Sequence, residues 1–204
     1  MSYDEFILNA LIKGLITKPV LRIYGWIEET ISLGQNQKID NNEFKSYGNL
    51  FPVVKRITGG QAVFHKLSND ELTYSVSLSY EKSAKYLYSE IGNVLCFFLQ
   101  ELGLNPVFGD SNNYLADFNC FNSNTKADIL VNNKKIIGSA QRRKKKFILQ
   151  HGAIRLDIIR SLSLKPLNSS HATWLLKKSF ENVMQIDFQD YNIENILNPL
   201  LLVS

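Results

Sequence analysis

Residues 134–153, KKIIGSAQRRKKKFILQHGA, carry the reading from which the rest of the chain is assigned. Two β-rich runs, 134–141 and 147–156, flank a cationic turn at 142–146. Gly138, Ser139 and Ala140 stand together in the first run. Three small residues in a strand leave a gap where a ligand or another backbone can approach closely. Lys135 lies three residues before that gap, and Cys120 lies fifteen before Lys135. A thiol, an amine and a smooth-walled slot are the parts from which acyl transfer is built.

Working outward, residues 127–131 and 134–141 form a hairpin around Asn132-Asn133, a pair that tolerates positive φ. Upstream, 83–102 has helical apolar spacing, with Gly103 as its stop. Residues 72–80, LTYSVSLSY, alternate as a half-buried strand does. Further strands are read at 21–26, 31–37, 53–58 and 61–65. A first helix is expected over 3–18, capped by Ser2 or Asp4 and ended by Pro19. Residues 38–48 read as helix or loop, 105–115 as loop, and 117–121 hold Cys120. Downstream, 157–167 is ambiguous, 169–171 enters a helix that continues over 173–184, 186–188 reads as a short strand and 193–197 as a last helical turn. Strands and helices mix without regular βαβ alternation. That pattern predicts an α+β fold with a mixed, largely antiparallel sheet flanked by helices.

The chain has 204 residues, 45% hydrophobic and 21% charged, so one globular domain over 1–204 is expected, with 160–204 its mainly helical C-terminal part. The net charge of +4 is concentrated in the 142–146 turn. A local basic patch suits an acidic protein or a phosphate, and argues against a nucleic-acid partner. No apolar run is long enough for a membrane span. The start, MSYDEFILNA, has two acids and no basic segment, which argues against a signal peptide. Two cysteines do not make a disulfide framework, so a cytoplasmic protein with reduced thiols is expected. No metal site is read from the sequence.

Several residues are candidates for chemistry. Arg56-Ile57-Thr58-Gly59-Gly60-Gln61 follows a strand. Paired glycines let backbone N–H groups approach an oxyanion, and Arg56 offers a fork to an anion. A hairpin turn would need the same glycines. His65 and His151 are candidates to hold a substrate group, and both also fit buried structural imidazoles. Cys96 lies in an apolar helix, where a cysteine is a small hydrophobe. Cys120 lies in a polar setting, FNCFNSN, where a nearby ammonium would favour its thiolate. The 142–146 turn is either a solvated turn or a docking site for an acidic carrier.

Together these pieces resemble the lipoate/octanoate protein ligase and transferase family. RITGGQAVFH at 56–65 resembles its arginine–diglycine motif, and ELTYS at 71–75 follows as in the octanoyltransferase branch. KIIGSAQ at 135–141 resembles its lysine–glycine strip, LQHG at 149–152 the strand after it, and 21–34 its first strand pair. Cys120-Phe121, eight residues before Asp128, resembles the cysteine site of the cysteine-dependent, LipM-type octanoyltransferases. Ala127-Asp128 departs from the Asn-Asp pair of the ATP-dependent ligases and from the aromatic of the transferases.

The resemblance implies the fold shared by biotin and lipoate protein ligases. It implies octanoyl transfer in lipoate biosynthesis, from octanoyl-acyl carrier protein to a lysine on a lipoyl domain such as the glycine cleavage H protein. Cys120 would be the nucleophile and Lys135 would activate it and hold the acyl carbonyl. Arg56, Thr58, Gly59, Gly60, His65, Gly138, Ser139, Ala140 and His151 would bind substrate, and Arg142, Arg143 and Lys144 would dock the carrier. No cofactor is implied. ATP and Mg enter only under the alternative of a lipoate–protein ligase working through an acyl-adenylate. Two further alternatives are octanoyl transfer between lipoyl domains and a non-catalytic binder of carriers.

Overall fold

A computed structural model describes residues 2–37, 50–109, 121, 125 and 127–191. The described elements are α1 (Ser2–Ile12), β1 (Val20–Tyr24), β2 (Thr30–Leu33), β3 (Val53–Lys55), β4 (Val63–His65), β5 (Glu71–Ser79), α2 (Ala84–Glu101), β6 (Val107–Phe108), β7 (Ile129–Val131), β8 (Lys134–Lys144), β9 (Phe147–Arg155), α3 (Leu156–Leu162) and α4 (Ser169–Met184). Six strands form an antiparallel sheet in the order β1-β5-β9-β8-β7-β6. A smaller sheet runs β3-β2-β4, with β2 parallel to β3 and antiparallel to β4. The fold is thus α+β, with the mixed, largely antiparallel strands and flanking helices read from the sequence.

Side-chain alternation sorts the two faces of the large sheet. Leu72, Tyr74, Val76 and Leu78 of β5, with Ile148 and Ile154 of β9, join the apolar faces of α2 and α4 in the main core. The opposite face carries Thr73, Ser75 and Ser77, and α1 crosses it over β5 and β9. Covered on both sides, β5 is buried from Glu71 to Leu78 rather than half-buried as its alternation suggested.

Several boundaries differ from the sequence reading, each for a local reason. Helix α1 ends at Ile12, well short of Pro19, because Gly14 takes φ +72° and Leu15 N–H donates back to the Ala10 carbonyl at 2.9 Å. Asp4 does not cap it; its carboxylate turns into the sheet. The strands read at 53–58 and 61–65 shrink to β3 and β4, because the diglycine segment between them is a loop. Val107 and Phe108 form a short strand where a loop was read. Strand β8 runs on to Lys144, so the turn is Lys145-Lys146, with Lys145 at φ +55°. Residues 186–188 are not a strand; Ile186 and Phe188 N–H groups bond to Glu181 and close the end of α4. Asn132 and Asn133, at φ +49° and +60°, make the expected turn, and Asn168 caps α4 by accepting from His171 N–H at 2.8 Å. The readings at 38–48, 110–115, 117–120 and 193–197 lie outside the described residues.

Candidate active site

A β-bulge places Lys135. Leu130 pairs with Lys135 and Ile129 pairs with Ile137, so Ile136 is the extra residue on β8. Ile136 and Ile137 both enter the main core. Lys135 is thereby turned onto the same face as Gly138, which strict alternation would forbid at this spacing. A Cβ on Gly138 would sit 3.0 Å from Lys135 Cε and 3.5 Å from its Nζ. The Nζ pairs with Asp128 Oδ2 at 2.9 Å, and both side chains are buried. Asp128 also accepts from Thr125 N–H at 2.6 Å. The ring of Phe121 lies 5.3 Å from Lys135 Nζ and 5.5 Å from the Arg155 guanidinium. Cys120 itself lies outside the described residues.

The diglycine loop is held by Arg56. Its Nη1 donates to the Ser32 carbonyl at 2.8 Å and Ser32 Oγ at 3.1 Å; its Nη2 donates to the carbonyls of Gly59 at 3.0 Å and Gln61 at 2.5 Å. Of the two Nη groups that the sequence offered to an anionic ligand, Nη2 therefore clamps the loop's own backbone and Nη1 fastens it to Ser32 of β2. Gly60 needs to be glycine, because its φ is +93° and a Cβ would press on Arg56 Nη2. Among the described residues, a Cβ on Gly59 would meet nothing within 4 Å. Of the two glycines, Gly59 thus borders open space and Gly60 is a backbone device.

His65 joins the two sheets, and His151 joins this loop to the larger one. His65 Nδ1 donates to Glu71 Oε1 at 2.5 Å, its Nε2 meets Ser32 Oγ at 2.7 Å, and its ring stacks on Trp26 at 4.2 Å. His151 Nε2 meets Thr58 Oγ1 at 2.6 Å, and its Nδ1 faces Asp4 Oδ2 at 3.4 Å. Asp4 also accepts from Ser75 Oγ at 2.7 Å, from Tyr24 OH at 3.4 Å and from Arg22. Burial alone would raise the Asp4 pKa, but the hydrogen bond from His151 and the Arg22 charge outweigh it and hold the carboxyl down to about 2. Burial lowers the His151 pKa against the pull of Asp4, which leaves a neutral imidazole.

Small residues of β8 divide between the faces. Gly138 and Ala140 share the face of Lys135 and of His151, which pairs with Ala140. Ser139 points the other way, where its Oγ meets Tyr74 OH at 2.8 Å. Gln150 Nε2 donates to the same phenol at 3.0 Å, and Gln150 Oε1 accepts from Gln141 Nε2 at 2.6 Å. Burial raises the Tyr74 pKa to about 12, against the hydrogen bonds to Ser139 and Gln150. A Cβ on Gly152 would strike the Gly138 carbonyl and the Tyr74 ring, so Gly152 lets this chain of polar groups pass beneath the strip.

The cationic residues also separate. Arg142 turns inward and bonds to Gln35 Oε1, whose own N–H donates to the Thr58 carbonyl at 2.8 Å. Arg142 thus ties the strip to the diglycine loop. Arg143 and Lys144 are exposed; Arg143 donates to the carbonyls of Lys82 and Lys145, and Lys144 reaches Asn9 Oδ1 at 3.4 Å. The residues that sequence reasoning missed are Asp4 and Gln35. Asp4 carried a signal, since it occupies the core-facing row of α1 with Ile7, Leu8 and Leu11. Gln35 carried none.

Lysine, carboxylate, glycine strip and clamped loop occupy one face of one sheet. This arrangement can hold an acyl chain along small residues and place an ammonium at its carbonyl end. Among the described residues, no three His, Cys, Asp or Glu side chains gather to hold a metal ion, and no helix is long and apolar enough to cross a membrane.

The curated relatives include Octanoyltransferase LipM of Macrococcus caseolyticus, 33% identical over 199 residues that cover 88% of this chain and 70% of that protein. The same-named proteins of Clostridioides difficile and Halalkalibacterium halodurans are 35% and 36% identical, over 77% and 78% of this chain and 60% and 61% of theirs. The chain thus spans roughly two thirds of the length of the curated relatives it matches. Solved structures share the fold, among them the following two. A lipoate-protein ligase A bound with ATP superposes with a TM-score of 0.71 at 23% identity, covering 98% of this chain and 89% of that one. A bipartite lipoate protein ligase from Thermoplasma acidophilum also gives 0.71, at 20% identity, covering 98% and 87%. The profile of the lipoyl protein ligase A/B catalytic domain matches residues 1–194. With that match and those relatives, the chain belongs to the lipoyl protein ligase A/B catalytic domain family.

Proposed function

We propose that this protein is an octanoyltransferase of lipoate biosynthesis that works through a thioester on Cys120 as a single catalytic domain. The relatives at 33–36% identity are named octanoyltransferases, which supports the reaction class. The observation that carries the residue assignment is the position of Phe121. It is joined to Cys120 by one peptide bond, and its ring lies against Lys135 Nζ.

In this reading the Cys120 thiolate attacks the thioester carbonyl of an octanoyl-acyl carrier protein. A carbon–sulfur bond to Cys120 forms, the bond to the carrier's sulfur breaks, and the carrier leaves as a thiol after taking a proton. The Lys135 ammonium favours the Cys120 thiolate and holds the carbonyl oxygen as negative charge develops there. A lysine amine of a lipoyl domain, such as the glycine cleavage H protein, then attacks the acyl-enzyme. A carbon–nitrogen bond forms, the bond to Cys120 breaks, and the amine's proton returns to the thiol. Thioester to amide runs downhill, so the reaction calls for neither ATP nor a metal. Gly138, Ala140 and Gly59 would line the acyl chain, whose burial contributes roughly 5 kcal/mol at about 0.8 kcal/mol per methylene. Arg143 and Lys144 would meet the acidic carrier.

The test is a transfer assay with octanoyl-acyl carrier protein and apo H protein, without ATP. Octanoyl-lysine on the H protein is the expected product. Acceptor modification only with ATP and free octanoate would replace this reading with a ligase.

A further inference from the structure

The Asp4 carboxylate is an unexpected member of this face. It comes from the first turn of α1, is 1% exposed, and receives Arg22, Ser75, Tyr24 and His151. A carboxylate can only accept, so His151 Nδ1 carries the proton and donates to it. In the neutral ring Nε2 is then an acceptor, and the Thr58 hydroxyl must donate to it across 2.6 Å. Thr58 is 0% exposed and immediately precedes Gly59, whose Cβ direction is open. With its proton committed to His151, the Thr58 oxygen has only lone pairs left to offer, and the loop has a second attachment besides the Arg56 clamp.

We propose that Asp4 is a positioning residue for acyl transfer: acting through the tautomer of His151, it fixes the Thr58 hydroxyl and with it the diglycine loop against the Gly138–Ala140 strip. This rests on the reading that the loop and strip form the acyl site. The rival is an Asp4 that merely anchors α1 to the sheet. An anchor would act on stability alone, and its loss would add independently to the loss of the Thr58 hydroxyl.

Two measurements separate these roles. The first is 15N NMR of the histidine-labelled wild-type protein, with the His151 signal assigned by its loss in His151→Gln. A proton on Nδ1 is expected; a proton on Nε2 overturns the proposal without any Asp4 variant having to fold. The second is a double-variant cycle read as kcat and KM for octanoyl transfer. Asp4→Asn reverses the donor facing Nδ1, and is expected to lower kcat by roughly tenfold to a hundredfold with KM little changed. Thr58→Val is expected to do the same, Thr58→Ser to restore most of the activity, and the double variant to be no worse than Thr58→Val. Additive losses, or full activity in Thr58→Val, overturn the proposal. A wild-type protein that transfers no octanoyl group removes the reaction assigned above, and the tautomer measurement then still tests the arrangement by itself.

Discussion

Lys135 Nζ and Asp128 Oδ2 stand 2.9 Å apart with their side chains only 3% and 2% exposed. A buried ion pair adds little net stability, yet removing one partner leaves the other charge buried without it. Asp128→Ala is therefore expected to cost about 3–5 kcal/mol, read from urea unfolding. Lys135→Met combined with Asp128→Leu is expected to recover most of that stability while abolishing turnover. Recovery of both together would remove Lys135 from the chemistry.

The glycines give a graded series. Gly138→Ala brings a methyl to 3.0 Å from Lys135 Cε, the flexible end of a side chain, so the fold is expected to persist while turnover falls. Gly59→Ala meets no atom of the described residues within 4 Å and is expected to leave the melting temperature unchanged. Gly60→Ala forces a side chain onto a φ of +93° and is expected to cost about 1–3 kcal/mol. Calorimetry on the three variants checks the order.

Arg56→Lys tests the loop clamp. A lysine cannot reproduce two forks that serve four bonds to backbone and Ser32. Activity is expected to fall more steeply than stability, since the loop is displaced while the main core stays intact. Thermal melts and transfer rates on the same samples provide the comparison.

Acid is expected to destabilise the protein in two stages. His151 has a lowered pKa from burial, which Arg56 and His65 reinforce and Asp4 opposes. The unfolded chain binds a proton near the ordinary value of 6.5 and the folded chain does not, so stability falls as pH drops through that value. Asp4 is held at about 2 against an ordinary 3.8, so its contribution is present above 3.8 and is lost as pH falls toward 2. Urea midpoints at about pH 5 and about pH 7.5 are expected to differ, with the lower midpoint in acid. His151→Gln is expected to flatten that difference.

Most of the frame was legible because it rests on local chemistry. Asn132-Asn133 announced the turn into β8, Gly103 the end of α2, and the alternation of residues 72–80 the strand between β1 and β9. What escaped depends on contacts distant in sequence. The bulge at Ile136 turns Lys135 toward Gly138, and only pairing with β7 reveals it. Asp4 reaches His151 across 147 residues of sequence, and Gln35 meets Arg142 across 107. Arg56 was read as a fork for an anionic group, whereas its Nη groups bond to Ser32 and to carbonyls of the loop, recipients that could not be named before β2 was placed beside it. Ser139 was grouped with Gly138 and Ala140 by composition, whereas the period of a strand sends it to the opposite face.

The central claim is a thioester on Cys120, and the direct measurement is intact mass after mixing the protein with octanoyl-acyl carrier protein and no ATP. Burial raises the Cys96 pKa, so that thiol is expected to stay unmodified. The account predicts one octanoyl adduct that persists in Cys96→Ala and vanishes in Cys120→Ala. An adduct that survives Cys120→Ala, or transfer to the acceptor at an unchanged rate without Cys120, would contradict it.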